Sequence, residues 1–261
     1  MINSQKENLS IINSYIDKDK CIILLNSYPR SGNTWIRMLT TDLILQSKGH
    51  ETRTKLPIGP NIVFPDIHAD PITQDSFVLS EDTLLIKTHL QKDFLEKNIR
   101  NFHNVRNIVL YRDPIDSLVS YFHFSKKYDL IDKDYSVDKF CKENASKWNR
   151  FYKSYNDLNN CITISYESTT INAPDTMAKL CEYLKINNES ASIKKALANM
   201  SFKNLQNLEF SKRKENIFFR EGKIGNGISE VSTETLRSVK NATKEIHEKL
   251  NKAENHHIDS H

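Results

Sequence analysis

The chain of 261 residues contains little glycine, with only six residues of this type. Three of them fall in one short window, at Gly222, Gly225 and Gly227. Glycine adopts left-handed backbone conformations without steric cost, so we expect these three positions to be required for the shape of the backbone.

Cysteine is also scarce, and long apolar runs are missing. The four cysteines show no spacing typical of a metal site or a redox pair, which favours reduced thiols in a cytosolic protein. No apolar run approaches the roughly 20 residues of a membrane-spanning helix, and no N-terminal signal sequence is recognisable. We therefore expect a cytoplasmic protein that does not insert into a membrane.

The net charge is small, because 37 basic residues are balanced by 33 acidic residues, which leaves +4 at pH 7. A nucleic-acid-binding protein usually concentrates its basic residues in clusters, so nucleic acid is not the expected partner. The length and a hydrophobic content of 38% suit a single domain, residues 1–261.

Four short apolar runs predict β-strands, at residues 21–25, 83–87, 107–111 and 162–166. Segments with apolar residues at helical spacing lie between and after these strands. The predicted helices are residues 34–48, 94–100, 137–155, 174–184, 192–200 and 233–250, together with one that follows Asp113. Strands that alternate with helices favour an α/β fold of three layers, in which helices flank a central parallel sheet.

Four segments fall outside this pattern. Residues 1–20 are predicted to form a short helix or a loose N-terminal arm, and residues 251–261 a polar tail. Residues 50–82 contain four prolines and residues 203–228 are rich in glycine and charge, so both are predicted to be loops. Long irregular segments in a compact domain are often functional, and we expect both loops to lie near the site.

Chemically active side chains follow three of the predicted strands. The turn from Ser27 to Thr34 follows the first strand, Lys87 and His89 end the second, and Arg112 ends the third. Ligands of parallel sheets bind beyond the carboxyl ends of the strands. The three groups are therefore predicted to share one site.

The turn after the first strand is predicted to bind a phosphate or sulfate group. A loop that leads into a helix directs backbone N–H groups at one point, and Arg30 adds a positive charge there. The turn differs from the ATP-binding loop G-x-x-x-x-G-K-[ST], because Ser27 stands at the first glycine and Asn33 at the lysine. An ordinary strand-to-helix turn is the alternative.

Lys87 and His89 are predicted to face the same side of the sheet, since side chains alternate along a strand. A neutral His89 could accept a proton from a hydroxyl group, and Lys87 could stabilise the charge that develops on a leaving oxygen. In isolation, a surface lysine beside a strand-end histidine is the commoner arrangement.

Arg112 is predicted to hold a second anion together with Ser120, which lies about two turns along the next helix. Asp113 and Pro114 are suited to the N-cap and the first turn of that helix. An ion pair between Arg112 and Asp113 or Asp116 is the alternative.

The glycine-rich segment 218–227 carries Arg220 and Lys223, which could fold over a second phosphate. Arg213 lies a little upstream and would add a further cation. A loop exposed to solvent is the alternative.

Three segments resemble motifs of the cytosolic-type sulfotransferases, which use 3′-phosphoadenosine 5′-phosphosulfate (PAPS). Tyr28 to Trp35, YPRSGNTW, resembles the 5′-phosphosulfate loop, which is usually YPKSGTTW. Ile86 to Leu90, IKTHL, is similar to the segment with the catalytic histidine. Tyr111 to Phe124, YRDPIDSLVSYFHF, resembles the 3′-phosphate motif, in which an arginine and a serine eight residues later bind the phosphate. The resemblance implies a P-loop-like fold.

Weaker matches extend the resemblance to most of the chain. Ile164 to Glu167 resembles a strand whose tyrosine approaches the nucleotide, Ser201 and Phe202 a segment that contacts adenine, and Arg220 to Gly222 the family's Arg-Lys-Gly. The donor-binding residues that the resemblance implies are Arg30, Ser31, Gly32, Asn33, Thr34, Trp35, Arg112, Ser120, Tyr166, Phe202, Arg220, Glu221 and Gly222.

The sequence departs from the family pattern at two charged positions. Arg30 replaces the usual lysine and offers a planar fork of donors instead of a point charge. Glu221 replaces a lysine beside the 3′-phosphate, a loss that Lys223 could offset. The family's dimer motif is absent near residues 226–235, so the oligomeric state is left open.

The resemblance implies that the protein transfers a sulfuryl group from PAPS to a hydroxyl or amine of a small-molecule acceptor. The product of the donor would be 3′-phosphoadenosine 5′-phosphate (PAP), and no metal would be needed. His89 would act as the general base, while Lys87 and Arg30 neutralise the leaving oxygen. A kinase that uses ATP and Mg²⁺, and a non-catalytic PAPS-binding protein, are the alternatives.

The acceptor side is expected to be lined by residues 50–82, 121–135 and 203–219. Aromatic residues in these segments could contact an aromatic or sugar acceptor, although each could equally belong to the local core. These candidates are Phe64, His68, Phe122 and Phe124.

Overall fold

The computed structural model describes residues 2–47, 60–73, 76, 83–158, 160–186, 189–201, 204 and 222–256. Most of the predicted loop 50–82 and nearly all of 203–221 lie outside these residues. Every structural statement that follows concerns the described part of the chain.

The described strands form one parallel sheet of four. They are β1 (Cys21–Ser27), β2 (Thr83–Thr88), β3 (Arg106–Tyr111) and β4 (Cys161–Ser165), in the spatial order β2-β1-β3-β4. Every neighbouring pair is parallel, which confirms the predicted central sheet. The carboxyl ends of all four strands therefore lie along one edge.

Helices connect the strands and cover both faces of the sheet. They are α1 (Ile2–Ile16), α2 (Asn33–Ser47), α3 (Pro60–Val63), α4 (Lys92–Asn98), α5 (Pro114–Lys127), α6 (Val137–Tyr155), α7 (Tyr166–Ile171), α8 (Ala173–Leu184), α9 (Ser190–Asn199) and α10 (Thr233–His256). Two short 3₁₀ helices occupy Phe102–Asn104 and Asn226–Glu230. None of the helices in the described ranges combines the length and apolarity needed to cross a membrane.

The alternation of β1 divides the core into two layers. Ile22 and Leu24 point into a cluster shared with α1, α5, α6 and α10, and Ile23 and Leu25 point into a second cluster with α2, α8 and α9. All four side chains are buried, as expected for a central parallel strand with helices on both faces. The three-layer α/β architecture predicted from the sequence is confirmed.

The two ends of the described chain compare differently with the sequence prediction. The N-terminal segment forms the predicted helix and not a loose arm, because α1 packs on the sheet and buries Ile12 completely. The polar tail begins later than residue 251, because α10 continues to His256. Glu254 explains the longer helix, since its carboxylate accepts from the Tyr111 hydroxyl at 2.7 Å and from the Ser165 amide at 2.8 Å.

The proline-rich segment also contains more structure than its sequence indicates. After α3, the Lys87 amide donates to the Pro65 carbonyl at 2.8 Å, and the Ile67 amide donates to the Lys87 carbonyl at 3.0 Å. These bonds place residues 65–67 against the outer edge of β2. Phe64 is completely buried in the core, so it is not available to an acceptor.

The start of α5 confirms the predicted cap. The Asp113 carboxylate accepts hydrogen bonds from the Ile115 and Asp116 amides at 2.9 and 3.1 Å, and Pro114 occupies the first turn. The side chain therefore satisfies two amides that have no partner within the helix.

Replacing Asp113 by alanine is expected to lower the free energy of unfolding by about 1 kcal/mol, because both capping bonds are lost. Asp113→Asn should retain most of the stability, since its amide oxygen can still accept from the same amides. Urea denaturation of the three proteins measures the difference. Equal stability of Asp113→Ala and the wild type would show that the cap contributes nothing.

Candidate active site

The turn between β1 and α2 forms a cradle at the carboxyl edge of the sheet. Gly32 has a φ of 97°, and an added Cβ there would lie 2.4 Å from the Tyr166 ring. Gly32 therefore both turns the chain and admits the Tyr166 ring directly above it. Asn33 begins α2, and its side-chain amide donates to the Ser27 hydroxyl at 3.3 Å. The N-terminus of the 15-residue helix α2 thus points at the turn.

One buried hydroxyl fixes the turn to the sheet. Tyr152 of α6 donates to the Leu110 carbonyl of β3 at 2.9 Å and accepts from the Tyr28 amide at 3.1 Å. The same hydroxyl lies 3.0 Å from the Ser31 hydroxyl. Tyr152, which the sequence prediction missed, therefore ties Tyr28 and Ser31 of the turn to the helix α6.

Arg30 joins the first and third sequence motifs. Its backbone has a left-handed φ of 68°, and its Nε donates to the Ser120 hydroxyl of α5 at 3.2 Å. The guanidinium also lies over the Phe124 ring, 5.2 Å from its centre. The Ser117 hydroxyl donates to the Pro29 carbonyl at 3.1 Å and draws α5 against the turn. The structure therefore brings Arg30 and Ser120 together, as one shared site requires.

The end of β2 carries Lys87 and His89 to the same place. The Lys87 ammonium is almost fully buried and forms an ion pair with Asp66. His89 is partly buried, and its Nδ1 makes a hydrogen bond with the Ser27 carbonyl of β1. Because a carbonyl oxygen can only accept, Nδ1 carries the proton and Nε2 keeps its lone pair.

Burial and the neighbouring Lys87 charge lower the pKa of His89 to about 3. The imidazole is therefore neutral at neutral pH, in the tautomer that accepts a proton at Nε2. Burial also lowers the pKa of Lys87, although the Asp66 carboxylate opposes this shift.

Asp66 is a second residue that the sequence did not reveal. Burial raises the pKa of its carboxyl group, but the charge and hydrogen bond of Lys87, together with the His68 amide, outweigh burial and leave the pKa below the ordinary value. The Asp66 amide donates to Asp70 at 2.8 Å, and Asp70 forms an ion pair with Arg37 at 3.3 Å. The His68 backbone amide donates to the Asp66 carboxylate at 3.0 Å. This bond accounts for the position of His68 without any contact to an acceptor substrate.

Arg112 contacts the residues expected around the second anion. Its guanidinium lies 4.4 Å from the centre of the Tyr166 ring and donates to the Lys223 carbonyl at 3.1 Å. The Tyr166 hydroxyl donates to the Gly222 carbonyl at 3.1 Å. Tyr166 does not end a strand as predicted, because β4 stops at Ser165 and Tyr166 begins α7.

Asp116 holds the glycine-rich segment against α5. It is almost fully buried and accepts from the Gly225 amide at 2.7 Å and the Gly227 amide at 2.8 Å. It also pairs with Arg112 at 3.4 Å, which is one of the alternatives that the sequence left open. A Cβ at Gly227 would lie 2.9 Å from the Asp116 carboxylate, so this glycine is required for the close approach.

The remaining predicted residues are only partly covered. Trp35 donates from its indole to the Met200 carbonyl at 3.0 Å, which places it between α2 and the end of α9. Thr34 is partly buried in the first turn of α2. Phe202, Arg220 and Glu221 lie outside the described residues.

A cavity of about 250 Å³ opens beside His89. Pro29 of the turn forms one boundary, and Tyr28, Tyr121 and Phe151 provide aromatic walls. Across the described ranges, no group of three or more histidine, cysteine, aspartate or glutamate side chains is arranged to hold a metal ion. The site therefore combines an anion cradle, a neutral histidine and an adjoining cavity.

The sulfotransferase domain model matches residues 20–253, and the chain therefore belongs to this family. The match confirms the family that the three motifs predicted, whose members take the sulfuryl group from PAPS. It favours this enzyme class over the ATP-dependent kinase that the sequence left as an alternative.

Individual relatives and solved structures agree with this assignment. Cytosolic sulfotransferase 7 of Arabidopsis thaliana is 24% identical over 254 residues, which cover 85% of this chain and 78% of the relative. Sulfotransferase 6B1 of Danio rerio is 24% identical over 216 residues, which cover 78% of this chain and 70% of the relative.

Mouse sulfotransferase SULT7A1 complexed with PAP superposes with a TM-score of 0.67 at 17% identity, covering 90% of this chain and 88% of that chain. Retinol dehydratase in complex with androsterone and PAP gives a TM-score of 0.64 at 18% identity, covering 86% and 80%. These two structures show the same P-loop-like fold.

Removing the Tyr152 hydroxyl is expected to destabilise the protein by about 2 kcal/mol, because Tyr152→Phe leaves the Leu110 carbonyl and the Tyr28 amide without a buried partner. Tyr155→Phe on the same helix is a matched control, since its hydroxyl donates only to the Leu90 carbonyl. We expect about 1 kcal/mol for this control. Urea denaturation measures both, and equal losses would contradict the special role of Tyr152.

The lowered pKa of His89 predicts a pH-dependent stability. The unfolded chain binds a proton at this histidine below about pH 6.5, whereas the folded chain does not, so acidification favours unfolding. Between pH 7 and pH 5, the wild type should lose about 2 kcal/mol more stability than His89→Asn. Parallel pH profiles of His89→Asn and the wild type would contradict a neutral His89.

Proposed function

We propose that the protein transfers a sulfuryl group from PAPS to the hydroxyl of a small-molecule acceptor, with His89 as the general base. The observation that carries the proposal is the hydrogen bond from His89 Nδ1 to the Ser27 carbonyl. This bond orients a neutral imidazole at the start of the anion-binding turn, with Nε2 free to accept the acceptor proton. The cavity beside His89 supplies the place for the acceptor.

The donor would lie along the carboxyl edge of the sheet. The turn from Arg30 to Trp35 would hold the 5′-phosphosulfate with its backbone amides and the Arg30 charge. Arg112 and Ser120 would hold the 3′-phosphate, and Tyr166 would lie against the nucleotide. SULT7A1 and retinol dehydratase share this fold and have both been crystallised with PAP, which supports a nucleotide ligand for this chain.

The contact between Arg30 and Ser120 supports a donor that spans both parts of the site. The two side chains are already 3.2 Å apart, so one ligand can contact them together. Phe202, Arg220, Glu221 and Gly222 would complete the nucleotide site as the resemblance implies. Of these, Gly222 is described, and its carbonyl accepts from Tyr166.

Three side chains would act in the transfer itself. His89 Nε2 would remove the proton from the acceptor hydroxyl as that oxygen attacks sulfur. Arg30 and Lys87 would offset the negative charge that develops on the bridging oxygen of the departing PAP. Asp66 would hold the Lys87 ammonium in place, so that its charge is already oriented before reaction.

The class of acceptor is supported by the relatives and by the cavity. Retinol dehydratase has been crystallised with retinol and with androsterone, both of which carry a hydroxyl group. The relatives named cytosolic sulfotransferases support a cytoplasmic location for this reaction.

The assignment of the base is tested with radiolabelled PAPS and a panel of phenols and alcohols. His89→Asn keeps a donor for the Ser27 carbonyl but cannot accept a proton, so kcat should fall by at least about 100-fold. PAP affinity, measured by calorimetry, should stay close to that of the wild type. His103→Asn serves as the control, and wild-type turnover by His89→Asn would rule out His89 as the base.

A further inference from the structure

Two cations border the cavity beside His89, and both lie far in sequence from the anion-binding turn. Lys147 and Arg150 both line it, and both belong to α6. Their spacing of three residues places them on one face of the helix. Among the described residues, no aspartate or glutamate lines the cavity, so no described carboxylate balances these two charges within it.

Neither cation is paired with a carboxylate in the described part of the chain. The ion pairs found there involve other residues. The side chains of Lys147 and Arg150 are both exposed. Lys147 instead donates to the Asn144 side-chain oxygen at 3.1 Å. Asn144 is buried and held by its own bond to the Phe140 carbonyl at 2.8 Å, so the Lys147 ammonium has a well-positioned acceptor beside the cavity.

Aromatic side chains also line the cavity. Tyr28 contacts Tyr121 and Phe151 edge to face, with ring centres 6.0 and 6.1 Å apart. Tyr28 and Phe151 are buried and thus fixed in position. These rings fit a flat apolar body, whereas Lys147 and Arg150 fit a negatively charged group.

We propose that the acceptor is an aromatic hydroxyl compound that also carries an anionic group, such as a carboxylate, bound by Lys147 and Arg150. The inference rests on the proposed function, because it places the acceptor hydroxyl at His89. The aromatic body lies against Tyr28 and Phe151, and the anionic group reaches Lys147 and Arg150. The two cations also offset the repulsion that an anionic acceptor meets from the negatively charged donor.

The test compares two acceptors that differ in one group, 2-naphthol and 6-hydroxy-2-naphthoic acid. The wild type is expected to prefer the carboxylated acceptor in kcat/KM by at least about tenfold, as charge-assisted hydrogen bonds require. Lys147→Gln/Arg150→Gln should abolish this preference. Lys139→Gln/Lys153→Gln removes two exposed charges from the same helix outside the cavity and should keep it.

Equilibrium binding of both naphthols in the presence of PAP separates the inference from the proposed function. Tighter binding of the carboxylated compound that depends on Lys147 and Arg150 supports the inference, even if neither compound is sulfated. Sulfation of both compounds with equal kcat/KM, unchanged in ratio by Lys147→Gln/Arg150→Gln, overturns the inference and leaves the proposed function intact. Undetectable binding of the carboxylated naphthol also overturns the inference.

Discussion

The geometry of the site depends on the buried hydroxyl of Tyr152. This one group bonds to β3 and to two positions of the anion-binding turn, so the turn cannot shift relative to the sheet without leaving buried polar groups unpaired. Tyr152 lies on α6, and the same helix presents Lys147 and Arg150 to the cavity. A single helix therefore sets both the position of the donor cradle and the position of the proposed acceptor site.

Two cations of the site, Lys87 and Arg112, are held in position by neighbouring side chains. Lys87 is buried with Asp66, and Arg112 lies against Asp116 while also stacking on Tyr166. The free energy needed to remove two charges from water offsets much of the free energy of their attraction. Such pairs therefore add little net stability, and their main effect here is to orient the side chains. The same burial keeps His89 neutral beside a cation. Folding thus yields a neutral imidazole and two oriented cations before any ligand binds.

The sequence predicted the parts of this site that are local. Apolar runs and the residues after them correctly placed Lys87, His89 and Arg112 at strand ends, and Asp113 at a cap. Contacts between distant segments were not predictable. Asp66 acts only because the proline-rich segment returns to the edge of β2, and Asp116 meets Gly225 from 109 residues away. The role of Tyr152 likewise depends on residues far away in the chain, since its hydroxyl contacts Leu110 and Tyr28.

The contacts of the end of α10 with the sheet can form only after the ribosome has made all four strands. Glu254 binds Tyr111 and Ser165, which are the last residues of β3 and β4. On the ribosome, the sheet and the anion-binding turn emerge long before Glu254 does. The carboxyl edge of the sheet therefore stays without one of its polar partners until α10 has been synthesised. A chain interrupted shortly before α10 would present strands whose ends still expose an unpaired hydroxyl and an unpaired amide.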